Sequence, residues 1–246
     1  MGKDFETHLD ATVDATPEQV WDAIATGPGI TSWFVGRTGI DGDTVSTDFG
    51  DGWIPTGTIK INNRPHHFAY ASEPAPDGRF IAYDYLVEGR DRSATVLRTV
   101  TSGFLPGDDW ADEYEAMRYG TQLFFATLVE HLRHPGPAAT PVTVFGPPVT
   151  DWPATWTALF ARLGLGPDPR PGDGDVYFRN PHTLGLRTGH GLARFLRGLH
   201  GSLVVVAPGD TDWTAFLRDL AESQNLPESR PAVQNLPEGQ NLPERQ

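Results

Sequence analysis

The 246-residue chain contains no cysteine. That excludes disulfides, thiolate metal ligands and a thiol nucleophile, and it fits a reducing compartment. No apolar run approaches the ~20 residues of a membrane-spanning helix, and the N-terminal MGKDFETHLD carries no signal-peptide core, so a cytoplasmic protein is expected. The common nucleotide and hydrolase fingerprints are also missing: there is no G-x-x-x-x-G-K-[ST], no G-x-G-x-x-G after a strand and no G-x-S-x-G. Positive charge is short. The formal net charge is −13, and residues 1–134 hold 10 basic against 21 acidic side chains. Such a surface repels phosphate backbones and anionic lipid, so neither nucleic acid nor a membrane is expected as a partner; plain solubility accounts for it equally well.

What the chain does have is aromatic bulk, seven Trp and 13 Phe, with 27 Gly and 22 Pro to punctuate it. Residues 3–14 alternate as a strand does. Thr16, Pro17 and Gln19 then form a T-x-x-Q capping box with proline at the first helical position, and Val20, Trp21 and Ile24 share a face of the helix. Gly27-Pro28-Gly29 is expected to end that helix, with a short turn leading to Trp33 and Phe34. Five β-like runs follow at 38–49, 57–62, 65–73, 79–87 and 93–104, separated by turn residues too few for parallel crossovers. After Pro106-Gly107, acidic residues open a long helix to about Arg133, with Met117, Gly120, Thr121, Phe124, Leu128, His131 and Leu132 on one face. Gly120 in mid-helix suggests close packing against a bulky neighbour.

The TVDATPEQVWDAIATGPGITSWF segment at 12–34, the strand-rich middle ending VTSGF and the aromatic-flanked last helix together resemble the SRPBCC superfamily (START/Bet v 1-like). Within it they are similar to the bacterial branch named for activators of the Hsp90 ATPase. The resemblance covers roughly residues 3–134. It implies an α+β helix-grip fold, a curved antiparallel sheet around a long C-terminal helix, in which the space between sheet and helix often holds a hydrophobic molecule. The family name implies instead a co-chaperone-like partner of Hsp90. Cyclase or aromatase enzymes on the same fold supply a third reading.

Residues 135–150 read as a Pro-rich linker with one possible strand at 142–145, and 151–222 as a small α+β extension. Three apolar stripes suggest helices there: Trp156/Leu159/Phe160/Leu163, Leu192/Phe195/Leu196/Leu199 and Trp213/Phe216/Leu217/Leu220. NPHTLGLRTGHGLARFLRG at 180–198 is similar to an extension in some bacterial members of the branch. Arg179, Arg187, Arg194, Arg197 and His200 would lie on a basic helical region, either docked on the acidic first half or solvated. The tail at 223–246 repeats QNLPE three times and reads as disordered.

The candidate ligand-binding residues are Trp33, Phe68, Tyr70, Tyr83, Tyr85, Met117 and Phe124. They would either line a pocket for an amphipathic molecule or fill the core beneath the long helix. The strand at 79–87 is apolar on both faces, which leaves its inward face open. No catalytic residue is assigned; an enzyme would have to use Asp84, Arg98 or His66. No cofactor is expected. The paired histidines His131 and His134 lack an evident third ligand, so no metal is expected either.

Overall fold

The computed structural model describes residues 2–50, 54–90, 94–107, 110–135, 141–198 and 201–223. The QNLPE repeats, Leu199 and His200 lie outside them. Twelve strands and five helices alternate along the described chain. The fold is α+β, with a helix-grip first part.

The first strand, β1 (Lys3–Val13), leads into α1 (Pro17–Ile24) through the expected capping box: Gln19 N–H donates to Thr16 Oγ1 at 3.3 Å, and Thr16 N–H donates to the Gln19 side chain at 2.8 Å. Thr16→Ala should lower stability by about 1 kcal/mol, read as a shifted urea midpoint at unchanged slope. The Gly-Pro-Gly segment does not merely stop α1. It forms the first turn of a second helix, α2 (Gly27–Trp33), capped by Thr26, whose Oγ1 accepts from Gly29 N–H at 3.0 Å. Glycine is required at position 29 because a Cβ there would sit 1.9 Å from the Asp22 carbonyl oxygen. That close approach folds α2 back on α1 and lets Trp33 Nε1 donate to Ala23 O at 2.9 Å.

The five β-like runs become six strands, because 38–49 folds as a hairpin of β2 (Arg37–Asp41) and β3 (Thr44–Asp48). These continue through β4 (Gly57–Asn63), β5 (His67–Ser72), β6 (Phe80–Gly89) and β7 (Thr95–Leu105) as an antiparallel meander. β1 closes the far edge against β7, giving the order β1-β7-β6-β5-β4-β3-β2. In β7 the burial alternates strictly, with Thr95, Leu97, Thr99, Thr101, Gly103 and Leu105 inward. Val96, Arg98 and Val100 therefore point outward.

The long helix α3 (Trp110–Arg133) crosses the inner face of this sheet. Its other side is covered by a second antiparallel sheet. That sheet comprises β8 (Pro141–Pro148), β9 (Val176–Asn180), β10 (Thr183–Thr188), β11 (Gly191–Arg197) and β12 (Ser202–Pro208), in the order β8-β12-β11-β10-β9. Two further helices, α4 (Trp152–Arg162) and α5 (Trp213–Glu222), cover its outer face, so α3 lies between two sheets.

One sequence expectation fails here: residues 191–197 form a strand, not a helix. The possible strand at 142–145 in the Pro-rich segment is present, within the longer edge strand β8. Leu196, Val204 and Val206 face the core shared with α3, whereas Ala193, Phe195, Leu203 and Val205 face α4 and α5. A sheet buried on both faces loses the polar alternation that marks a strand, and LARFL then fits a helical stripe by coincidence. The prolines of β8 sit at its ends on the sheet edge, where a missing donor is tolerated. β8 also touches the first sheet's side: Thr143 Oγ1 donates to Val35 O at 2.9 Å, and the Phe145 ring packs edge-on to Phe49 at 5.3 Å.

Candidate functional site

A cavity of about 730 Å3 opens where the first sheet, α2, α3 and the second sheet meet. β6 and α2 build its aromatic side. Tyr83 and Tyr85 alternate inward on β6, and Trp33 and Phe34 project from the end of α2. Phe34 stands edge-on to both Tyr83 (5.8 Å) and Phe124 of α3 (5.4 Å), so the rings hold one another in place. α3 adds Met117, Gly120, Thr121 and Leu128. The second sheet closes the remaining side with Phe145, Leu196 and Val204.

Of the seven candidate binding residues, Trp33, Tyr83, Tyr85, Met117 and Phe124 lie on this wall. Phe68 and Tyr70 do not. Phe68 is consumed by the core against Trp21 (5.8 Å, edge-on), and Tyr70 lies behind Tyr83 with ring centroids 4.9 Å apart. Gly120 is not pressed by a bulky neighbour either: an added Cβ would meet only Phe124 Cε2, at an ordinary 3.7 Å. Phe34 was visible as half of an aromatic pair. The second sheet's contribution had no local signal, since it depends on how two separate sheets sandwich one helix.

The hydroxyls in the wall are neutral. Burial pushes the Tyr83 and Tyr85 phenols far above their ordinary range, so they can donate or accept a hydrogen bond but not act as bases at physiological pH. Among the described residues, the Tyr83, Thr101 and Thr121 hydroxyls make no hydrogen bond within the protein. Charge is confined to the ends of the cavity. Arg79 is paired with Glu113, and Glu115 Oε2 lies 3.8 Å from His182 Nε2. Burial chiefly lowers the pKa of His182; Arg197, Arg118 and Arg179 add to this and Glu115 opposes it, so the ring is uncharged at neutral pH.

The groups that an enzymatic reading would need are elsewhere. Asp84 accepts from or pairs with His67 at 3.1 Å on the outer face, Arg98 donates to Glu88 at 2.6 Å there, and His66 is exposed beside the β5 start. None lines the cavity. His131 in α3 and His134 just beyond it are separated in role. His134 Nε2 is 3.7 Å from Glu130, and His131 is partly buried, which together with nearby Arg194 lowers its pKa. Among the described residues no three His, Asp or Glu side chains could jointly hold a metal ion.

The expected basic helical region is instead spread over three strands. Arg179 stacks over Trp156 (4.7 Å), Arg187 pairs with the buried Glu130 of α3, and Arg197 lies over Trp152 (5.2 Å). Arg194 is fully buried; its Nε donates to Val206 O at 3.2 Å, Nη1 has no partner, and burial pulls its pKa down to about 10.

Among solved structures, the chain is similar to Aha1 of Colwellia psychrerythraea, at 17% identity and a TM-score of 0.43, over 53% of this chain and 97% of that one. It is also similar to XoxI of Bacillus cereus (18%, TM-score 0.43, covering 52% and 94%) and CalU16 of Micromonospora echinospora (15%, TM-score 0.40, covering 54% and 77%). No protein-family profile matches the sequence, and no curated protein matches it. No helix among the described residues is long and apolar enough to cross a membrane.

Proposed function

We propose that this protein is a binding module whose cavity holds a hydrophobic small molecule. The observation that carries the reading is the cavity itself. Its volume of about 730 Å3 falls within the ~300–1,000 Å3 of small-molecule sites, and rings from three elements line it with a few neutral hydroxyls. Apolar walls supply the driving force, at roughly 25 cal/mol for each Å2 of ligand surface removed from water. Tyr83, Thr101 and Thr121 supply orientation, because each has bonding capacity that the protein leaves unused.

The test uses N-phenyl-1-naphthylamine, a neutral dye whose emission rises and shifts to the blue in an apolar site. The expected result is saturable binding of one dye per chain, weakened about ten-fold by Phe34→Ala through loss of ring contact and order in the wall. Saturable binding that is indifferent to Phe34 and Tyr83 substitutions would place the dye on the surface and overturn the reading. Complete absence of binding would favour a protein-interaction module of the co-chaperone type instead.

A further inference from the structure

A threonine hydroxyl inside a protein usually donates to a nearby carbonyl, and several inward threonines of this fold do so. On β7, Thr95 Oγ1 donates to Ala15 O at 2.6 Å and Thr99 Oγ1 to Leu9 O at 3.5 Å. In α3, Thr127 Oγ1 donates to Leu123 O at 2.7 Å, one turn back. Thr101 and Thr121 depart from this pattern. Thr101 is the next inward residue of β7 and Thr121 lies in the interior of α3, yet among the described residues neither makes a side-chain hydrogen bond. Tyr83 is the direct cross-strand partner of Thr101, and its hydroxyl is unpartnered too.

These three oxygens are not sealed in. Among the described residues the buried side-chain atoms without a partner are Arg118 Nε, His182 Nδ1 and Arg194 Nη1, and none of the three hydroxyls is among them. They therefore touch open volume, and all three residues line the cavity. The Tyr83 ring is held between Phe34 at 5.8 Å and Tyr70 at 4.9 Å, which fixes where its hydroxyl stands. Along the strands the lining continues on both sides of the Tyr83–Thr101 pair. Ile81 and Leu105 lie to one side, and Tyr85 with Trp33 against it to the other.

Charge has no such provision. Arg79 is paired with Glu113, the Arg197 guanidinium lies over Trp152 of α4, and the carboxylate of Glu115 stands at the rim. An ion drawn into the middle of this chamber would lose its hydration without gaining a counter-charge. A carbonyl oxygen suits it better, since it carries two acceptor lone pairs and asks for no acceptor in return.

We infer that the occupant of the cavity is an uncharged ketone, its carbonyl set among Tyr83, Thr101 and Thr121 and accepting from the Tyr83 hydroxyl, with apolar groups to either side. This rests on the cavity reading above and adds to it the chemical class of the ligand. Tyr83 is then the residue that selects by chemistry, while the other rings select by shape.

In the experiment, 9-fluorenone and fluorene compete in parallel for the site of bound N-phenyl-1-naphthylamine. They share a rigid tricyclic body and differ only in a carbonyl against a methylene. Tyr83→Phe keeps the ring and removes the oxygen. It should move the ratio of the two inhibitory concentrations about ten-fold against fluorenone, the loss of one hydrogen bond. Any effect of the substitution on dye affinity or wall shape acts on both competitors and cancels in the ratio. A second reading uses the wild-type protein and so holds even if Tyr83→Phe fails to fold. The infrared carbonyl stretch of bound fluorenone should fall below its frequency in hexane. With dye still binding, an unmoved ratio or a bound stretch at the hexane value overturns the ketone and leaves the apolar cavity standing. If dye does not bind the wild type, both fall together.

Discussion

Leu123→Ala is expected to destabilise the whole described structure by about 3 kcal/mol, in one step. Leu123 is fully buried at the middle of α3. Truncating such a leucine loses its transfer free energy and leaves a cavity that the neighbours only partly close. The singular feature is where the loss is felt. α3 is packed by the first sheet on one side and by β9, β10 and β11 on the other, so neither half can keep its core if the helix leaves. Thr127, one turn further on, is tied to β9 by a 2.8 Å bond to Tyr177, and the adjacent Glu130 is paired with Arg187 of β10. Tryptophans report on both halves, Trp21 and Trp33 in one and Trp156 and Trp213 in the other. Urea unfolding followed by circular dichroism and by fluorescence should give one coincident transition in wild type and variant. Two separated transitions, with the second sheet surviving the first, would show that the halves are independent.

Gly120→Leu should abolish binding of the neutral dye, by about a hundred-fold or more, while raising stability. Gly120 lies on the cavity wall in the interior of α3. Glycine costs a helix about 1 kcal/mol against residues such as leucine, so the replacement favours the folded state. The new side chain extends into open volume, because the Cβ position clears every neighbour by at least 3.7 Å. Ligand and side chain then compete for the same space, and about 2.7 kcal/mol of binding is a hundred-fold. A rise in melting temperature together with lost binding separates occlusion from damage. Unaltered binding would mean that the dye sits elsewhere.

Legibility in the sequence followed the locality of the cause. The Thr16 box and Pro17 defined α1 because capping is settled within four residues, and the short breakers defined the meander because they allow only hairpins. Trp33, Tyr83, Tyr85, Met117 and Phe124 emerge as pocket or core residues from strand and helix periodicity together with the resemblance to a helix-grip fold, and all five line the cavity. Phe68 and Tyr70 share that inward face, but the cavity does not reach them: α1 brings Trp21 down onto Phe68, and Tyr83 screens Tyr70. β11 was misread because burial on both faces erases the two-residue alternation. Its Arg194, which in a helix would have marked a solvated side, is instead enclosed between β12 and α3. Position 29 shows the limit most sharply. Gly-Pro-Gly reads as a terminator, yet the glycine is there so that one helix can begin where another's carbonyl nearly touches it.

The sandwiching of α3 also sets an order of events at the ribosome. When residue 135 has left the exit tunnel, the first sheet and its helix are complete in sequence, but the flank of α3 destined for β9–β11 is bare and the chamber beside it has no far wall. At about 5–20 residues per second, several seconds pass before β12 arrives to seal it. A nascent chain in that interval exposes a sticky helix and a gaping ring-lined hollow, so stalled or truncated synthesis in this window should yield an aggregating product rather than a working half.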